Sequence, residues 1–148
     1  MTTTTTAPAD ARALGLAHYA ARAVLESVLA RHGLGFQQQI VLRPVVLADG
    51  PVDRARLAAD TVTALKADED SVQGTIDELI AAGLVATGAS DVRITDAGRA
   101  LYARITQETS GASARIWGDI PEADLLAAGR VLALVTERAN AELAASAR

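Results

Sequence analysis

The stretch LIAAGLVATGASDVRITDAGRAL, Leu79 to Leu101, changes its hydrophobic period twice, and those changes decide the fold. A helical stripe arrives through Leu79 and Ile80 and stops at Gly83, where a left-handed C-terminal cap is wanted. Leu84-Val85-Ala86-Thr87 and Asp91-Val92-Arg93-Ile94 then read as short strands around Gly88-Ala89-Ser90, a hairpin. Thr95, with Asp96 in the first turn, opens another helix through Leu101 and Ile105, limited by Gly111 and Gly118. Helix, tight ribbon and helix follow one another without a linker.

Upstream, Asp68 can cap a helix from Glu69 to Ala82 whose buried stripe is Val72, Ile76, Leu79 and Ile80. Asp53 can cap the helix before it, running to about Ala67 with Leu57, Ala58, Thr61 and Leu65 inward. Asp49-Gly50-Pro51 is a turn signal. A helix from about Phe36 to Ala48 precedes it, with Gln37-Gln38-Gln39 as solvated surface and Pro44 expected to kink it or delay its start. The first helix, Ala11 to His32, is stopped by Gly33 and Gly35. Downstream, Pro121 suits the first position of a last helix, with Glu122 and Asp124 at its positive end. That helix is apolar on a broad face: Leu125, Leu126, Val131, Leu132, Leu134, Val135 and Leu143.

Two helices joined by a short turn and followed by a β-hairpin make a winged helix-turn-helix. The expected fold is mainly α, about six helices with a short two-stranded wing, dimerising through its N- and C-terminal helices. Residues 1–10 read as a disordered tail without the character of a secretory signal. Residues 11–148 read as a single domain, with 36–100 as a DNA-reading lobe and 11–34 and 101–146 as dimerisation helices.

Half of the residues are hydrophobic but only 3% are aromatic, so the core must be aliphatic and rich in alanine. Alanine buries little area each, so at roughly 25 cal/mol per Å² such a chain gains by sharing a core with a second copy. A homodimer is expected. The absence of cysteine excludes disulfides, thiolate zinc sites and thiol redox sensing. No run approaches the roughly 20 apolar residues that span a bilayer, so a cytoplasmic protein without a membrane partner is expected. His18 and His32 lie in no ligand pattern, and no nucleophile-and-base pair or phosphate-binding glycine loop stands out. Neither metal, cofactor nor catalysis is expected.

LIAAGLV at Leu79 to Val85 and VRITDAGRAL at Val92 to Leu101 resemble the multiple-antibiotic-resistance regulator (MarR) family, as does Arg54-Ala55-Arg56-Leu57-Ala58. The resemblance spans nearly the whole order of elements. It implies a two-fold dimer that regulates transcription, the fourth helix of each copy in a major groove and each wing in a minor groove. It also implies release from DNA when a small, often aromatic, ligand binds between the dimer and reading lobes. The chain departs from the family in its short wing tip, an extended third helix from Thr61 to Lys66, and a fourth helix without Lys or Arg.

The residues expected at double-stranded DNA are Arg54, Arg56, Ser71, Gln73, Gly74, Thr75 and Arg93, with Asp77 at the edge of the reading face. Gln73 could pair with adenine through two hydrogen bonds, and Thr75 could touch a thymine methyl. For a small aromatic ligand the candidates are His18, Tyr19, Arg22, Arg43 and Trp117, an aromatic wall with cations. The competing reading makes Tyr19 and Trp117 dimer packing and leaves His18 partly solvated. Charge opposes DNA. From Asp49 to Arg99 there are five basic and ten acidic residues, a net −5, while affinity for duplex DNA rests on neutralising phosphates. A second function therefore stands beside the first: a winged-helix dimer that has lost DNA binding and serves as a small-molecule-binding or protein-interaction module.

Overall fold

The computed structural model describes residues 7–147; the tail expected over residues 1–10 lies largely outside them. Asp10, assigned to that tail, is ordered as a cap: its side chain accepts from the backbone N–H of Ala13 at 2.8 Å. It starts α1, Ala11–Arg31, followed by α2, Phe36–Leu47. The strand β1, Val52–Asp53, leads into α3, Arg54–Leu65, and α4, Glu69–Ala81. Then come β2, Val85–Thr87, β3, Asp91–Ile94, α5, Asp96–Trp117, and α6, Glu122–Ser146.

Caps fix most of these boundaries. Asp53 and Asp68 accept from the N–H groups of Arg56 and Ser71, each at 2.8 Å, so α3 and α4 begin where carboxylates were expected to start them. The α1 and α4 helices end in the same double turn. Gly33 and Gly83 take φ of 69° and 73°, and the following Leu34 and Leu84 donate back to Leu29 and Leu79 at 3.0 Å. Lys66 closes α3 in the left-handed region, φ 55°, one residue earlier than the expected run to Ala67.

Four expectations are corrected. The wing is not a two-stranded ribbon alone, because β1 joins it in a three-stranded antiparallel sheet of order β1-β3-β2. Val52 pairs with Val92 and Asp53 with Asp91. Pro44 does not delay α2, which begins at Phe36 and carries the proline inside. Gly111 does not limit α5, which continues to Trp117. Pro121 stands just before α6 rather than in it.

The described chain forms two compact units, Met1–Ser110 and Gly111–Arg148. The buried core lies in the first. Leu29 from α1, Val41, Leu42 and Val45 from α2, Leu57 from α3, Val72, Ile76 and Leu79 from α4, Val85 and Val92 from the sheet, and Ile105 from α5 are nearly inaccessible. In the second unit α6 contributes no buried residue.

The entry and exit of the ribbon are tied by one residue. The Thr95 hydroxyl reaches the Gly83 carbonyl at 2.7 Å and accepts from the Gly98 N–H at 3.0 Å. It thus joins the end of α4 to the first turn of α5. Gly98 is there for space: a Cβ at that position would meet the Leu84 carbonyl oxygen and the Ile94 side chain. A second tie closes the far end of α1 on α5. Arg31 donates to Glu108 at 2.8 Å, and His32 Nε2 lies 2.9 Å from the other carboxylate oxygen.

Thr95→Val is expected to lower stability by about 1 kcal/mol through loss of the cap. Gly98→Ala should cost about 1–3 kcal/mol through overpacking. Helix propensity alone would make the alanine variant more stable by about 1 kcal/mol, so urea-denaturation midpoints decide between steric clash and propensity. The Glu108 carboxyl is held below the ordinary glutamate range, first by its hydrogen bond from Arg31 and then by that from His32. A depressed carboxyl stabilises the fold above its ordinary pKa and loses that contribution as pH falls through the folded value. Glu108→Gln should therefore denature earlier than the parent at pH 7, and the gap should narrow as pH falls below the ordinary glutamate range. A gap unchanged with pH would contradict the tie.

Candidate nucleic-acid interface

The α4 helix presents two faces. Val72, Thr75, Ile76 and Leu79 are buried, while Ser71, Gly74, Asp77 and Glu78 are exposed and Gln73 is half-buried. Gly74 has open space around it, with no atom within 4 Å of where a Cβ would stand. Nothing among the described residues requires glycine there.

Thr75 leaves the expected reading set. It is 6% exposed, and its hydroxyl donates to the Ser71 carbonyl at 3.0 Å and accepts from Gln37 Nε2 at 2.8 Å. Its methyl cannot reach a thymine, because the side chain lies in the seam between α2 and α4. The same contacts correct the glutamine run, which is not solvated surface. Gln37 also lies within hydrogen-bond distance of the Ser71 carbonyl and hydroxyl, at 3.2 and 3.1 Å. Gln38 accepts from the Gly35 N–H at 2.8 Å and donates to Glu78 at 2.9 Å. Gln39 is buried, and its Oε1 has no partner among the described residues. The run fixes α2 against α4.

Arg54 opens α3 beside this face and is woven into it. Its backbone N–H donates to the Ser90 carbonyl at the wing tip, 3.0 Å. Its Nε donates to Gln73 Oε1 at 3.0 Å, and a terminal nitrogen donates to Asp77 at 2.8 Å. Two expected DNA residues, Arg54 and Gln73, are thereby brought together, with Asp77 neutralising the cation. Arg56 is exposed and only loosely paired with Asp60, at 3.7 Å. Such an exposed pair contributes little and leaves Arg56 usable.

Arg93 is exposed on β3 and shares a cleft with Arg99, in the first turns of α5. The cleft, of about 410 Å³, is lined by Ala48, Asp49, Gly50, Pro51, Arg93, Ile94 and Arg99. Among the described residues neither arginine has an ion-pair partner. In a lobe of net −5, these two guanidinium groups share one cleft without an ion-pair partner among the described residues; Lys66 is likewise unpaired with an acid and donates to the Thr63 carbonyl. Sequence reasoning singled out Arg93 but passed over Arg99, whose role depends on α5 starting directly behind β3.

The residues expected at a ligand are less gathered. His18 and Tyr19 meet edge to face on α1, ring centroids 5.8 Å apart, and Tyr19 is 69% exposed. Arg22 sits over the Phe36 ring, 4.1 Å from its centroid, and donates to Glu26 at 2.9 Å. Arg43 is exposed on α2, and Trp117 belongs to the second unit. None of the five lines the cleft at Arg93. Among the described residues no group of three His, Asp or Glu side chains is placed to hold a metal ion, and no helix is long and apolar enough to cross a membrane.

No family model and no curated protein matches the chain. Solved structures do. Ligand-free NadR is 22% identical, with a TM-score of 0.73 over 90% of this chain and 98% of its own. A MarR-family transcriptional regulator from Rhodococcus sp. RHA1 is 19% identical, with a TM-score of 0.68 over 80% and 87%. BpsR of Bordetella bronchiseptica, whose DNA binding is described as regulated by 6-hydroxynicotinic acid, is 22% identical, with a TM-score of 0.65 over 88% and 98%. The chain has the winged-helix fold of these regulators.

Proposed function

We propose that this chain is a homodimeric, DNA-binding transcriptional regulator of the MarR type, a binding protein rather than an enzyme, working in the cytoplasm. The observation that carries the reading is the rigid junction of α4 with the ribbon. It presents Ser71, Gln73 and Gly74 on an exposed helix face, and Arg93 and Arg99 without internal partners. A helix face for base edges together with guanidinium groups for phosphates is the division of labour that duplex recognition needs.

The dimer follows from exposed apolar surface. On α6, Leu126, Val131, Leu132, Leu134, Val135 and Leu143 are each more than 40% exposed in the single chain. Leu14 and Leu16 on α1 are as bare. Apolar faces of this kind call for a partner, and a second copy supplies the same surface in return. Two-fold symmetry also doubles the phosphate contacts, which a lobe of net −5 requires. For the effector we carry over a small aromatic ligand, supported by the exposed His18–Tyr19 pair. Arg22, held by Phe36 and Glu26, is set aside.

A second reading, a winged-helix dimer without DNA binding, draws on the acidic lobe and on the neutralisation of Arg54 by Asp77. Anisotropy titrations with duplexes from around the chain's own gene separate the two, with sedimentation velocity on the same samples. The first reading expects a species of twice the chain mass that binds duplex, more weakly between 50 and 200 mM salt. Replacing Arg93 and Arg99 together by Ala should flatten the log K against log salt slope by about 3 to 4, four phosphates per dimer at about 0.9 each. No binding to any duplex at low salt would support the second reading, and a stable monomer would contradict both.

A further inference from the structure

Resting on the DNA-reading role proposed above, we infer that Gln73 reads guanine through its amide N–H₂ group, because Arg54, anchored on Asp77, takes up its oxygen. A guanidinium carries only donors. The Gln73 atom 3.0 Å from Arg54 Nε must therefore be the carbonyl oxygen, whichever way the amide would otherwise turn. The arginine is itself held by the Asp77 carboxylate at 2.8 Å, and at 28% exposure its side chain is the less solvated partner of that pair. Gln73 Nε2 has no partner among the described residues. The end of the amide left for a groove is the donor end.

This overturns the pairing that composition alone suggests. Two hydrogen bonds to adenine require the oxygen to accept from N6 while the nitrogen donates to N7. Here that oxygen is turned to a cation, and although its second lone pair stays open, only the amide nitrogen is left with no partner among the described residues. A donor-only edge suits guanine, which offers N7 and O6 as acceptors; thymine offers one acceptor, and cytosine offers a donor that repels it. Arg54 and Asp77 are then positioning residues: they fix which end of Gln73 a base meets without reading it themselves. Asp77 also offsets a charge that would otherwise seek a phosphate, so the geometry exchanges non-specific affinity for discrimination.

The test is selection from randomised duplexes with the full-length protein and its Gln73→Ala, Asp77→Ala and Asp77→Glu variants, beside an NMR measurement on the free protein. One symmetric pair of positions should lose its preference in Gln73→Ala, and in the parent that preference should be guanine over adenine by at least about fivefold. Asp77→Ala should admit adenine there and steepen the salt slope by about 2 per dimer, as each freed Arg54 meets a phosphate at about 0.9 each. Asp77→Glu, which keeps the carboxylate, should keep guanine. Without DNA, the Arg54 Nε proton should exchange with water more slowly than that of Arg93, and faster in Gln73→Ala. Adenine preferred at the Gln73-dependent position, or a base preference indifferent to Asp77→Ala, overturns the inference and leaves DNA binding standing. Failure of the parent to bind any duplex overturns the DNA-reading role, and the inference with it. Equal Arg54 and Arg93 exchange overturns the clamp whether or not DNA binds.

Discussion

The close approach of α5 to the Leu84 carbonyl, possible only because residue 98 has no side chain, is the constraint on which the structure depends. It brings the Thr95 hydroxyl onto Gly83 at 2.7 Å, so that the end of α4, both strands of the ribbon and the start of α5 meet in one knot. From there the geometry propagates. Val92 is fully buried in the middle strand, pairing with Val52 on one side and Thr87 on the other. The Ser90 carbonyl then receives the N–H of Arg54 and sets the start of α3. Helix α4 and the wing are thus tied in one mutual position, which under the proposed role would lower the ordering cost of binding a rigid duplex.

The acidity of the lobe has the same local origin. Asp53 and Asp68 are N-caps, each contributing about 1 kcal/mol to its helix. Glu69 and Asp70 sit in the first turn of α4, where a carboxylate is favoured by the helix dipole. The carboxylates that start the helices are the charges that repel phosphates. Under the DNA-reading role proposed above, two cations without an ion-pair partner among the described residues, Arg93 and Arg99, would offset this at one cleft, and Arg54 would be held on Asp77 for placement rather than attraction. Duplication of the site in the proposed dimer would complete the balance.

Much of this was legible in the sequence, because capping and glycine positions are local signals. Asp53, Asp68 and Gly83 mark their boundaries through local chemistry, and Thr95 marks the start of α5, while the knot it ties with Gly98 shows only in the structure. What escaped depends on tertiary neighbours. Two residues, Val52-Asp53, have no period, and they become a strand only because β3 lies alongside. Gln37 to Gln39 look like surface by polarity, yet α4 offers Gln37 and Gln38 the partners Ser71, Thr75 and Glu78, which no spacing along α2 could reveal. Thr75 lies on the buried side of α4 beside Ile76, and its hydroxyl is tolerated there because Gln37 satisfies it. The pairing of Arg54 with Gln73 joins different helices and was equally hidden. The ligand residues were the least legible, since a pocket is a property of assembled surfaces rather than of any one helix.

The central claim, that α4 and the wing act as one preformed reader of duplex DNA, is tested most directly by hydrogen exchange on the protein with and without a bound duplex. The account predicts added protection in two segments together, the first turns of α4 around Ser71 to Gly74 and the ribbon from Gly88 to Arg93, with the core of α2 unchanged. Protection confined to other elements, or slowed exchange in the ribbon with none in α4, would contradict it.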